Sequence, residues 1–233
     1  MSKYNTDLDY VIIDIDISRE ELEEIKAEAD KIISENKESN ENLAVAYLKK
    51  VQCLRKLGAF KIIGFILYEE DVLFFDEEAK KIIKNEDIKN LLEKALELSP
   101  DMPEVFMQLG LLNHSFFGLP YKKDEVKKYL NKAIQLKPDY AAAFNDRAML
   151  FYEYNLLEDR EDKKNIEKNK LNYKNAITDL TEAIRIRPFD AIYHLNRGVF
   201  HSRLEEQKEA IEDFSNAINY ASDVLKDNFK KMF

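Results

Sequence analysis

The chain of 233 residues has one cysteine, no tryptophan, five glycines and five prolines. A lone Cys53 cannot form a disulfide within the chain, so no cross-linked framework holds the fold, and a reducing compartment is expected. So few glycines and prolines leave little material for the tight turns of an all-β protein. The five glycines, at Gly58, Gly64, Gly110, Gly118 and Gly198, are too scattered to form a phosphate-cradling loop. The longest uncharged apolar run, Ile62 to Tyr68, is far too short to span a bilayer. The first residues, MSKYNTDLDYVIID, lack a basic segment followed by an apolar one, so no signal peptide is read there. The expected location is the cytoplasm, with no membrane partner.

Charge is abundant. Lys, Arg, Asp and Glu make up 35% of the chain, and the net charge of −9 argues against nucleic acid as a partner. This composition suits surface-exposed helices.

The chain also repeats itself. The phrases ALELSPDMPEVFMQLG, AIQLKPDYAAAFNDRA and AIRIRPFDAIYHLNRG begin at Ala95, Ala133 and Ala183. Their prolines, Pro100, Pro138 and Pro188, are separated by 138 − 100 = 38 and 188 − 138 = 50 residues. A fourth phrase, AINYAS, puts Ser222 in the proline position, 222 − 188 = 34 residues on. A period of 34 with insertions of 4 and 16 accounts for all three gaps. The first full copy carries Phe106, Leu109, Gly110 and Asn113, then Val126, Leu130 and Pro138. The second carries Phe144, Arg147, Ala148 and Phe151, then Ala176, Leu180 and Pro188. The third carries His194, Arg197, Gly198 and His201, then Ala210, Phe214 and Ser222. With Ala95, Ala133, Ala183 and Ala217 recurring three residues after each Leu/Phe position, residues 88–222 resemble the tetratricopeptide-repeat family.

That resemblance implies an all-α fold, a right-handed superhelical solenoid of antiparallel helix pairs. The physics of the spacing agrees with it. Small residues at Gly110, Ala148 and Gly198 let paired helices cross closely, and the four-residue steps Val126–Leu130, Ala176–Leu180 and Ala210–Phe214 align one helix face. Proline ends a helix, after which Asp139 or Asp190 can cap the next. A single helix pair cannot bury its apolar face, so the unit is stacked.

The remaining segments divide as follows. Residues 1–17 form an N-terminal extension, strand-like or disordered. Residues 18–100 hold atypical helical repeats, opening with a capping box at Ser18 and Glu21 and a stripe of Leu22, Ile25, Ala29, Ile32 and Ile33. A second helix ends at Gly58, residues 61–87 read as two short helices, and Ile88–Leu98 is the second helix of a repeat. Residues 101–222 are three repeats, with insertions in the first two, and 223–233 form a capping helix through Val224, Leu225 and Phe229. The charged stretch 156–173 reads as two helices running past the usual turn, or else as a partner-docking arm.

Chemistry-bearing motifs are sparse. Asp14 and Asp16 form a D-x-D pair that a metal-dependent enzyme, or an enzyme's regulatory subunit, could use; the same letters alternate like a short strand with acids on its wet face. His194 and His201, seven residues apart, share a helix face but fill aromatic positions of the repeat, which favours a packed or hydrogen-bonded core over a metal site. His114 carries no signal, and Cys53 reads as a small core residue. No catalytic residue, metal or cofactor is expected.

One covariation is informative. Leu109 goes with Tyr129, whereas Arg147 and Arg197 go with Asp179 and Asp213. Apolar accompanies aromatic and basic accompanies acidic, so the two positions face each other as structural ion pairs. The resemblance further implies that the first helices line a concave groove that holds a protein or extended peptide. Its expected residues are Gln108, Leu111, Asn145, Asp146, Met149, Tyr152, Asn196, Val199 and Arg203, with Gln108, Asp146 and Asn196 as an exposed, aligned polar row. The family branch that grips acidic tails places Lys and Arg in this groove. Here Glu104, Met107, Ala142 and Asn145 stand at the comparable positions, which argues against that mode. Self-association through the repeats is the remaining alternative.

Overall fold

The computed structural model describes residues 18–58, 85–112, 123–156 and 163–221. Among the described residues the regular structure is entirely helical, and the contacts divide the chain into two compact units between Tyr129 and Leu130.

In the N-terminal unit, α1 (Arg19–Glu35) starts on the expected capping box. The Ser18 hydroxyl accepts the Glu21 N–H at 3.1 Å, and the Glu21 carboxylate accepts the Ser18 N–H at 2.8 Å. The helix stops at Asn36, whose φ of 48° puts it in the left-handed region that Asn tolerates. α2 (Asn40–Gly58) packs back on α1, seating Cys53 against Leu22 with Ile25 beside it. α3 (Asn85–Leu98) and α4 (Pro103–Leu112) complete a core of Ala44, Leu48, Val51, Ile88, Leu92, Ala95, Val105, Leu109 and Leu112. Tyr129 packs against that same cluster, which is the apolar–aromatic partnership read from the sequence.

α5 (Lys123–Leu136) carries the chain into the C-terminal unit, followed by α6 (Ala141–Leu156), α7 (Lys163–Ile186), α8 (Ala191–Arg203) and α9 (Gln207–Tyr220). α6 pairs with α7 and α8 with α9, and α7 also packs on α8. The turn between α8 and α9 is only Leu204–Glu206, so this pair is antiparallel. Asp190 caps α8, its carboxylate accepting the Ile192 N–H at 3.1 Å.

The close crossings are built from the small residues. Ala133, Ala183 and Ala217 are all buried. A β-carbon placed on Gly198 would lie 2.7 Å from the Phe214 ring, closer than atoms can sit, so the α8–α9 approach requires the glycine. The larger insertion is helical for much of its length. α7 begins 176 − 163 = 13 residues before Ala176, whereas α9 begins only 210 − 207 = 3 before the equivalent Ala210. Just past that extension, at the position equivalent to Gln207, Tyr173 packs on Phe200 of α8, ring centroids 5.8 Å apart.

Asp14, Asp16, His114, residues 59–84 and residues 222–233 lie outside the described residues, and with them the readings of the N-terminal extension, the two short helices and the capping helix.

Candidate functional site

The first helices of the C-terminal repeats, α6 and α8, carry most of the residues expected to bind. Asn145 and Asn196 are 51 positions apart yet touch directly: the Asn196 amide N–H donates to Asn145 Oδ1 at 2.8 Å. The Asn145 amide in turn donates to Asp146 Oδ1 at 3.1 Å. A carboxylate accepts only, so Asp146 fixes which way the Asn145 amide points, and Asn145 then fixes Asn196. The relay ends on Asn196 Oδ1, which is buried and has no partner.

This arrangement corrects the expected polar row. Asn196 is 2% exposed and Gln108 3%, so neither stands out on an open face. For Asn196 the reason is packing. The position just before the Leu slot in α8 abuts the neighbouring first helix α6 and meets an asparagine one position earlier in its own repeat. Asn145 and Val199 are likewise buried. Asp146, Met149 and, in the N-terminal unit, Leu111 are half-buried, while Arg203 is exposed. The Tyr152 side chain lies outside the described residues.

Beside the relay, each of the two C-terminal repeats has an ion-pair clasp. Arg147 grips Asp179 with two parallel bonds, Nε to Oδ2 at 2.8 Å and Nη2 to Oδ1 at 2.6 Å. Arg197 grips Asp213 the same way, at 2.8 Å and 2.7 Å. The bidentate fork is the strong geometry for this pair, and both covariation pairs form as expected. Each arginine also reaches back: Arg147 Nη1 to Asn131 Oδ1 at 2.8 Å, and Arg197 Nη1 to Thr181 Oγ1 at 3.2 Å. Every clasp therefore joins the second helix of the preceding repeat to both helices of its own. The sequence did hold this signal, since both backward contacts span sixteen residues.

The two histidines converge on the second clasp. His194 Nδ1 lies 3.3 Å from Asp213 Oδ1, and its Nε2 lies 2.9 Å from the Pro188 carbonyl oxygen. His201 approaches Asp213 Oδ2 at 3.9 Å and bonds Glu206 at 2.6 Å. Burial lowers the basicity of His194, but the Asp213 carboxylate and Pro188 carbonyl outweigh it and raise its pKa above the ordinary value. Burial likewise pushes the Asp213 carboxyl up, yet Arg197 and His194 overcome it and hold the pKa below the usual carboxylate range. The pair is thus a structural charge cluster. Among the described residues no group of three His, Cys, Asp or Glu side chains is placed to hold a metal ion, and no helix is long and apolar enough to cross a membrane.

No protein-family model matches the chain. Among curated proteins, the small glutamine-rich tetratricopeptide repeat-containing protein 2 of Saccharomyces cerevisiae is 45% identical over 47 residues. Its helix-pair fold is that of the tetratricopeptide repeat. The match spans 20% of this chain and 14% of the yeast protein. Solved structures show a likeness of fold. A double mutant of MamA (RS-1 ArsTM) aligns with TM-score 0.52 at 14% identity, covering 87% of this chain and 86% of its own. YrrB, a repeat protein with an unusual peptide-binding site, aligns at TM-score 0.48 and 16% identity over 90% and 91% of the two chains.

Proposed function

We propose that this protein is a tetratricopeptide-repeat scaffold that holds an extended protein segment against the first helices of its C-terminal repeats. The observation that carries this reading is the pair of half-buried side chains Asp146 and Met149 on α6, with Asp146 at the open end of the relay to Asn145 and Asn196. A carboxylate oxygen can accept a backbone N–H whatever side chains the segment carries. Met149 supplies apolar surface one turn further along α6. The Asp146 carboxylate favours a neutral or basic segment over an acidic one, in keeping with the absence of Lys and Arg from the clamp positions.

The test uses a peptide selected against the full chain from a displayed random library. Titration calorimetry should show Asp146→Ala binding it five- to thirtyfold more weakly, the loss of about 1–2 kcal/mol expected for one hydrogen bond. Met149→Glu alone should weaken binding further by placing a charge on the apolar surface. Unchanged affinity in both variants would move the binding surface elsewhere, with the charged 156–173 stretch the next place to look.

A further inference from the structure

We propose that His194 is a proton-operated lock between α8 and α9: protonated, it ties the Asp213 carboxylate to the Pro188 carbonyl, and on losing its proton it releases one of them and loosens α9.

The geometry leaves the ring little choice. The Pro188 carbonyl oxygen is an acceptor only, so the Nε2 atom 2.9 Å from it must carry a hydrogen. Asp213 Oδ1, 3.3 Å from Nδ1, is a carboxylate oxygen and also accepts only. A neutral imidazole has one N–H, so either tautomer sets a lone pair against an oxygen. The doubly protonated ring alone satisfies both contacts, and with the side chain 6% exposed no bulk water can replace the lost bond.

The surrounding charges set the balance. From α9, Asp213 attracts the ring and Tyr220 stacks on it, centroids 5.3 Å apart. From α8, Arg197 opposes a second positive charge while sharing the same carboxylate, and His201 lies 3.9 Å from the other oxygen of Asp213. Asp190, ahead of α8, pairs at 3.8 Å with Arg187, and burial pushes its carboxyl above its ordinary value against the pull of that arginine. The folded protein holds His194 above its ordinary 6.5, so its stabilising contribution is complete below 6.5 and is lost as pH rises through the folded value. Asp213, held below 3.8, contributes everywhere above 3.8 and fails only in acid. The lock therefore opens on the neutral-to-alkaline side.

Ring-nitrogen NMR of the full chain reads the protonation state directly. Both His194 nitrogens should be protonated at about pH 6, with a midpoint above 6.5. Amide hydrogen exchange, corrected for its intrinsic pH dependence, should accelerate several-fold along residues 207–220 as pH crosses that midpoint. His194→Phe, which restores the aromatic of the repeat, should abolish this acceleration. A midpoint at or below 6.5, or a single protonated nitrogen at about pH 6, overturns the proposal, and the wild-type titration decides this even if the variant folds poorly. Acceleration that survives in His194→Phe overturns it as well.

Discussion

Ala183→Glu should destabilise the C-terminal unit by about 4 kcal/mol, enough to lower its urea midpoint by more than about 1 M. Ala183 lies in α7 and is fully buried, at the position filled by Ala133 in α5 and Ala217 in α9. The repeat places its smallest side chain there because the helices come close enough to leave no room for more, as the Phe214 ring against Gly198 shows one repeat later. A glutamate must both push the helices apart and take an ionised carboxylate out of water. The control sits on the same helix. Leu171 is 59% exposed, so Leu171→Glu should change stability by no more than about 0.5 kcal/mol. A cost below about 1 kcal/mol for Ala183→Glu would contradict close packing at this slot.

Asp213→Ala should be nearly as damaging, at about 3–5 kcal/mol. Its carboxylate is buried and compensates two cationic side chains at once, Arg197 through both oxygens and His194 through Oδ1. Removing it leaves the guanidinium, whose side chain is 21% exposed, facing a 6% exposed imidazolium with nothing between them. Asp179→Ala breaks the matching clasp of the preceding repeat, where the carboxylate grips Arg147 through both oxygens, so its cost should be smaller. Denaturant melts of the two variants at about pH 6, below the ordinary histidine value, make the comparison. Equal costs would mean that His194 takes no part in the Asp213 cluster.

These positions also mark what could be read from residues alone. The repeat, the buried alanines and the Arg–Asp clasps were legible because each rests on a fixed register inside one helix pair, where size and charge must match across a known distance. The capping box at Ser18 and the Asp190 cap were legible for the same reason: both are local. The binding face was not. Whether Asn196 looks outward or toward Asn145 depends on how one first helix abuts the next, which slot position within a repeat does not encode. Its exposed row became a buried relay. His194 was read as a packed or hydrogen-bonded core residue, which it is, but its two acceptors come from a turn and a different helix, and only their convergence shows that the ring must hold two protons. The 156–173 insertion is legible in part: α7 does run on from Lys163, and Tyr173, the last residue of the stretch, packs on Phe200.

The most direct test of the scaffold reading is amide hydrogen exchange on the full chain with and without the library-selected peptide. The relay and its apolar neighbours predict new protection within residues 144–151 of α6 and 194–201 of α8. No gain is predicted on the outer face of α9, where Ile211 and Ile218 are exposed. Protection confined to α7 or α9, with α6 and α8 unchanged, would contradict it.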